Sequence, residues 1–187
     1  MEMGDLELTV EKEISSTPAN IYNALTDPQI LSKWFTTNAK GDLSIGGRYS
    51  NDDGDEGEYL ELRPFEKIRY TWDNPNHYPG TEVSIEIISL TYDITRVRVT
   101  HFKLESEEAI EEMKSGWSWA LENLKQFLET GIPITYEKWK RQQQGGYERR
   151  GRRAQSEPGA RRKCTRGTPT QRAPAARSLQ GRVSPRS

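Results

Sequence analysis

A single cysteine, Cys164, stands among the 187 residues. An intramolecular disulfide is therefore excluded, which suits a reducing, cytoplasmic location. Two histidines, His77 and His101, are too few beside that remote cysteine to build a zinc site. No apolar run reaches the ~18 residues that a membrane-spanning helix requires. Met1 to Val10 interrupts its apolar residues with acidic ones, so a signal peptide is not expected either. Net charge is nearly absent, at −1, but the balance conceals two opposite segments. Residues 1–140 carry 14 Lys and Arg against 26 Asp and Glu, a balance of −12, whereas residues 141–187 carry 13 against 2, a balance of +11. The second segment also lacks Ile, Phe, Trp, Asp and Asn. It cannot bury enough apolar surface to offset its ordering entropy, which predicts a basic, low-complexity, disordered tail over 141–187. Such a tail meets nucleic acid only non-specifically, through its charge. Residues 1–140 are enough for one domain that folds without metal or disulfide.

What is present is organised around one amphipathic stretch, Ser106 to Gly131. Ser106 is a good N-cap, Glu107 and Glu108 complement the helix dipole, Gly131 supplies a left-handed stop and Pro133 forbids continuation. Ile110, Met113, Trp117, Ala120, Leu121, Leu124, Phe127 and Leu128 recur at spacings of three and four, one apolar stripe on a helix about 36 Å long. A stripe of that length needs an equally long apolar partner, and the preceding segments are the candidates. Leu6, Leu8 and Val10 alternate with polar residues and Ile14 resumes their phase, with Lys12 as an interruption. Thr17-Pro18 and Asp27-Pro28 each begin a short helix. From Asn38 to Lys103 the chain alternates apolar and polar residues between turn signals at Gly46-Gly47, Asn51 to Gly57, Pro64, Asn74 to Gly80 and Asp93. Short connections make these strands antiparallel neighbours. The predicted fold class is α+β: a curved antiparallel sheet of six to seven strands around a long C-terminal helix, with two short helices after the first strand.

A sheet curled around a helix leaves space between them. Trp34, Tyr49, Tyr70, Trp72 and Trp117 have the phase to line it, with His101, Met113 and Leu121 beside them. His101 shares its phase with Val97 and Val99, and a cavity histidine could act as a general base. Glu61 is the other acid/base candidate. It shares a face with Tyr59 and Arg63 but not with Glu58, which lies at an odd separation. Asn51, Asp53 and Asp55 alternate like the start of a calcium loop, but Glu56 and Leu62 stand where glycine and a bidentate glutamate belong, so no metal is expected. No cofactor is demanded. Trp119 lies about 200° around the helix from Trp117, which directs it toward Tyr136 and Trp139 or toward a partner surface.

Three stretches together carry a family resemblance: Ala24-Leu25-Thr26-Asp27-Pro28 through Trp34, Gly46-Gly47-Arg48-Tyr49, and Gly116-Trp117 with Leu121 and Leu124. Gly57-Glu58-Tyr59-Leu60-Glu61 and Tyr70-Thr71-Trp72 fall between them. The sequence resembles homologues of the heat-shock-protein-ninety ATPase activator, within the START-like (SRPBCC) superfamily, over about residues 6–130. The resemblance implies the helix-grip fold. For function it implies a non-enzymatic binder of a hydrophobic or amphipathic small molecule, a co-chaperone-like module with a chaperone as partner, or a cyclase or dehydratase with His101 or Glu61 as acid/base. The expected state is a monomer or a homodimer.

Overall fold

The computed structural model describes the backbone of residues 6–154 and the side chains of residues 6–145. The sequence periods become elements in this order: β1 (Leu6–Ile14), α1 (Pro18–Thr26), α2 (Pro28–Trp34), β2 (Lys40–Gly41), β3 (Arg48–Ser50), β4 (Glu56–Arg63), β5 (Lys67–Trp72), β6 (Thr81–Ser89), β7 (Thr95–Leu104), α3 (Glu107–Thr130) and α4 (Tyr136–Ala154). The sheet runs β1-β7-β6-β5-β4-β3-β2, and every neighbouring pair is antiparallel. Only β1 is placed out of sequence, returning beside β7. With α3 lying across one face of this sheet, the arrangement is the helix-grip fold.

The helix starts form as their residues dictate. Thr17 accepts the amide of Asn20 at the N-cap of α1, and Asp27 accepts those of Gln29 and Ile30 at the start of α2. Ser106 caps α3 by accepting the Ala109 amide, and Gly131 ends it at φ 76°. The stripe predicted for α3 is the buried face, extended by Ala109 and Asn123. Asn123 is polar but spends both ends: its amide nitrogen donates to the Trp34 carbonyl and its oxygen accepts the Ile134 amide at 2.7 Å. One side chain thus ties α2, α3 and the segment after α3 together. That segment doubles back over α3, where Trp119 donates to the Ile134 carbonyl at 2.9 Å and packs between Phe35 and Tyr136. Of the two directions open to Trp119, the intramolecular one is taken.

Two expectations change. Lys12 does not break the strand phase; it lies on the inner side of β1 and pairs with Glu122 of α3. The helix begun at Tyr136 continues through residues 141–154, where the composition predicted disorder, and residues 155–187 of the expected tail lie outside the described residues. Arg141 and Gln142 to Gln144 are good helix formers, so losing apolar content does not by itself end a helix.

The outer face of the sheet is a ladder of opposite charges, alternating by strand. Glu11 and Glu13 of β1 meet Arg98 and Arg96 of β7, Arg98 reaches Glu86 of β6, Glu82 of β6 holds Arg69 of β5, and Lys67 of β5 holds Glu61 of β4. Each pair is worth little alone, but together they leave this face internally neutralised.

Two glycines predict opposite outcomes. A Cβ at Gly57 would lie 2.1 Å from the Thr71 carbonyl oxygen, so Gly57→Ala is expected to cost about 3 kcal/mol of stability. Gly116 lies inside α3 with nothing near its missing Cβ, and Gly116→Ala is expected to add about 0.5–1 kcal/mol. Urea unfolding of both variants against the parent protein checks the pair.

Candidate functional site

Between the sheet and α3 lies a cavity with a mouth open to solvent. Its inner walls are Trp72 and Tyr70 from β5, Tyr59 from β4, and Trp117, Leu121 and Leu124 from α3. Trp34 and Phe35, with Tyr49 and Ser50 of β3, also line it. Trp34 ends the second of the tandem helices, and its indole N–H donates to the Ala24 carbonyl at 2.9 Å, fixing the ring. Three tyrosines form a mutual cluster, with Tyr49 to Tyr70 at 5.3 Å, Tyr49 to Tyr59 at 5.7 Å and Tyr59 to Tyr70 at 6.4 Å between centroids. Burial raises the pKa of all three phenols, Tyr59 to about 12, so each is a neutral donor at physiological pH. Tyr49 spends its hydroxyl on the Thr71 carbonyl at 2.7 Å.

Six of the residues expected to line the cavity do so: Trp34, Tyr49, Tyr70, Trp72, Trp117 and Leu121. Met113 does not, because it lies one turn before Trp117 and the cavity sits under the later part of the helix; it is core instead. His101 faces inward as its phase predicts, but it is sealed from the cavity. The Trp117 indole donates to its Nδ1 at 3.0 Å, and Thr81 Oγ1 lies 2.7 Å from its Nε2. An indole N–H can only donate, so Nδ1 is the acceptor and Nε2 carries the proton. The Thr81 hydroxyl then donates onward to the Tyr78 carbonyl at 2.9 Å. Every bonding site of the imidazole is used, and burial pushes its pKa down to about 4. His101 is thus a neutral structural link rather than an available base.

Glu61 is also elsewhere. A bulge at Leu60 separates the Tyr59–Tyr70 pair from the Glu61–Arg69 pair, and the extra residue moves Glu61 to the outer face. There it holds Arg63 and Lys67, each at 2.9 Å, and hydrogen bonding to Lys67 keeps its carboxyl below the usual range. Strict alternation, which put Glu61 with Tyr59, could not detect this slip. His77 lies at the surface, 3.3 Å from Glu112 of α3.

The cavity residue missed by sequence reasoning is Asp55. The sequence places it in the turn from Asn51 to Gly57, yet it is only 6% exposed and forms part of the lining. Its two oxygens accept from Asn74 at 2.7 Å and Asn51 at 3.0 Å, while Asn51 also accepts the amides of Asp53 and Asp55. The turn is an internal polar bracket. Its signal was Asn74, too far along the chain for spacing to connect with it. No group of three or more potential metal ligands gathers anywhere among the described residues.

The family model described as activator of Hsp90 ATPase homolog 1-like protein matches residues 15–129. The chain belongs to this family. Solved structures share its fold: CalU16 from Micromonospora echinospora superposes with a TM-score of 0.61 at 26% identity, covering 72% of this chain and 81% of that one. The subunit of the Aha1 dimer from Colwellia psychrerythraea gives 0.60 at 26% identity over 67% of this chain and 98% of that one. An HSP90 activator from Plasmodium falciparum gives 0.58 at 25% identity over 68% and 98%. No curated protein matches. Among the described residues, no helix is long and apolar enough to cross a membrane.

The sealed histidine makes a pH prediction. In the unfolded chain His101 takes a proton near pH 6.5, but in the fold it stays neutral down to about 4. Between those values the unfolded state binds more protons, so stability falls as pH falls through this window. His101→Gln, which can still accept from Trp117 and donate to Thr81, removes this component. Its loss of stability from pH 7.5 to pH 5 is expected to be about 2 kcal/mol smaller than the parent's. Denaturant unfolding across that range checks it, and parallel curves would refute it.

Proposed function

We propose that this protein binds a hydrophobic or amphipathic small molecule in the cavity between the sheet and α3, without catalysing a reaction. The observation that carries this reading is the cavity itself: an aromatic and aliphatic chamber that the fold's own side chains leave unfilled. Concave, mostly apolar pockets lined by aromatic side chains are where small-molecule ligands bind. Both acid/base candidates from the sequence support the non-catalytic reading, since His101 is consumed by structural bonds and Glu61 lies outside. A chaperone is the alternative partner, favoured by family membership and by the two activator-related structures. The self-paired outer face argues against that face as a charged docking surface.

Ala120→Leu tests the binder reading. Ala120 lines the cavity and is 4% exposed, so the added side chain projects into existing space. The variant is expected to keep or raise its melting temperature and to lose at least tenfold in affinity for an apolar fluorescent probe that quenches the cavity tryptophans. Unchanged probe affinity in a folded variant would contradict the proposal.

A further inference from the structure

The cavity holds a charge with no counter-charge. Asp55 is the one acidic residue of its lining, and among the described residues it forms no ion pair. Both of its oxygens accept from side-chain amide N–H groups, of Asn51 and Asn74. Two amide bonds leave about half of a carboxylate's acceptor capacity open. Burying such a charge is costly unless it is paired. None of the carboxylates that contact Lys or Arg among the described residues belongs to the cavity lining.

Tyr49, Tyr59, Tyr70 and Trp72 line the same cavity as Asp55. Its charge is felt there: it contributes to the raised pKa of Tyr49 and of Tyr70. Aromatic rings carry negative potential on their faces and attract a cation within about 6 Å of the centroid, most strongly when water is excluded. Carboxylate and rings therefore favour the same sign of ligand charge. Lys40 is the one basic lining residue, but it is exposed at the mouth, where water and salt screen it.

Resting on the binding role proposed above, we infer that the cavity selects a ligand with an apolar, ring-sized body and a cationic amine or quaternary ammonium group, seated between Asp55 and the tyrosine cluster. The apolar body lies along Trp117, Leu121 and Leu124, and the ammonium group supplies the missing counter-charge.

Three probes of one shape separate the possibilities: phenyltrimethylammonium, its neutral isostere tert-butylbenzene, and benzenesulfonate. Each is titrated into the full chain while the indole N–H resonances of Trp34 and Trp72 are followed by NMR. The inference expects phenyltrimethylammonium to bind at least tenfold more tightly than tert-butylbenzene and to exceed benzenesulfonate by more. Asp55→Asn is expected to reduce the cation's advantage to under about threefold while leaving tert-butylbenzene unchanged. Should Asp55→Asn fail to fold, Tyr70 provides the second reading: Tyr70→Phe keeps the cation preference and Tyr70→Leu lowers it. Equal or tighter binding of tert-butylbenzene or benzenesulfonate would overturn the inference while leaving a binding cavity in place. A cation preference that survives both Asp55→Asn and Tyr70→Leu would overturn it too. Failure of all three probes to bind would remove both the inference and the role on which it rests.

Discussion

The hydrogen bond from the Trp117 indole to His101 sets the geometry of the interior. A buried indole N–H must find an acceptor, and in this core the available one is a histidine on β7 that is itself held by Thr81. The chain of donors, Trp117 to His101 to Thr81 to the Tyr78 carbonyl, joins α3, β7, β6 and the β5–β6 loop in one direction. It fixes the rotamer of Trp117, and the other side of that ring is cavity wall. Trp72 packs against both rings at 5.6 and 5.8 Å, so the opposite wall takes its position from the same contact.

Asn123 does for the far end of the helix what His101 does for the middle. Its two bonds hold α2, and so Trp34, at a set distance from α3. Polar contacts of buried groups, which have exacting geometry, thus join the elements around the cavity. The same division of labour appears outside, where the charge ladder aligns neighbouring strands while the inner face supplies the burial. Asp55 fits this scheme on its structural side, because Asn51 and Asn74 bracket it. Its unmatched charge is the part that structure alone does not use.

Much of the fold was legible in the sequence because it depends on local periodicity. Thr17-Pro18, Asp27-Pro28 and Ser106 to Gly131 fixed helix ends through caps, and strict alternation located the long strands. The aromatic walls followed from the same phases, as Trp34, Tyr70, Trp72 and Trp117 illustrate. What escaped depends on non-local or sub-periodic events. One extra residue at Leu60 turned Glu61 outward, and periodicity does not mark such a residue. Burial of Asp55 required Asn74, and the loss of His101 as a base required Trp117 and Thr81, partners 16 and 20 residues away. Lys12 looked like a flaw in β1 until α3 supplied Glu122. Polar residues on inward phases were the ones misread, because hydrophobic patterning has no vocabulary for a buried polar group with a distant partner.

The central claim is that the space beneath Trp117 is there to be occupied. The most direct measurement is native mass spectrometry of the protein purified from its own host, repeated after denaturation. The account predicts a stoichiometric adduct that denaturation releases, a small molecule with an apolar body. A chain at its bare mass, with cavity tryptophan fluorescence that does not respond to the host's small-molecule extract, would contradict it and direct the search to a chaperone as partner.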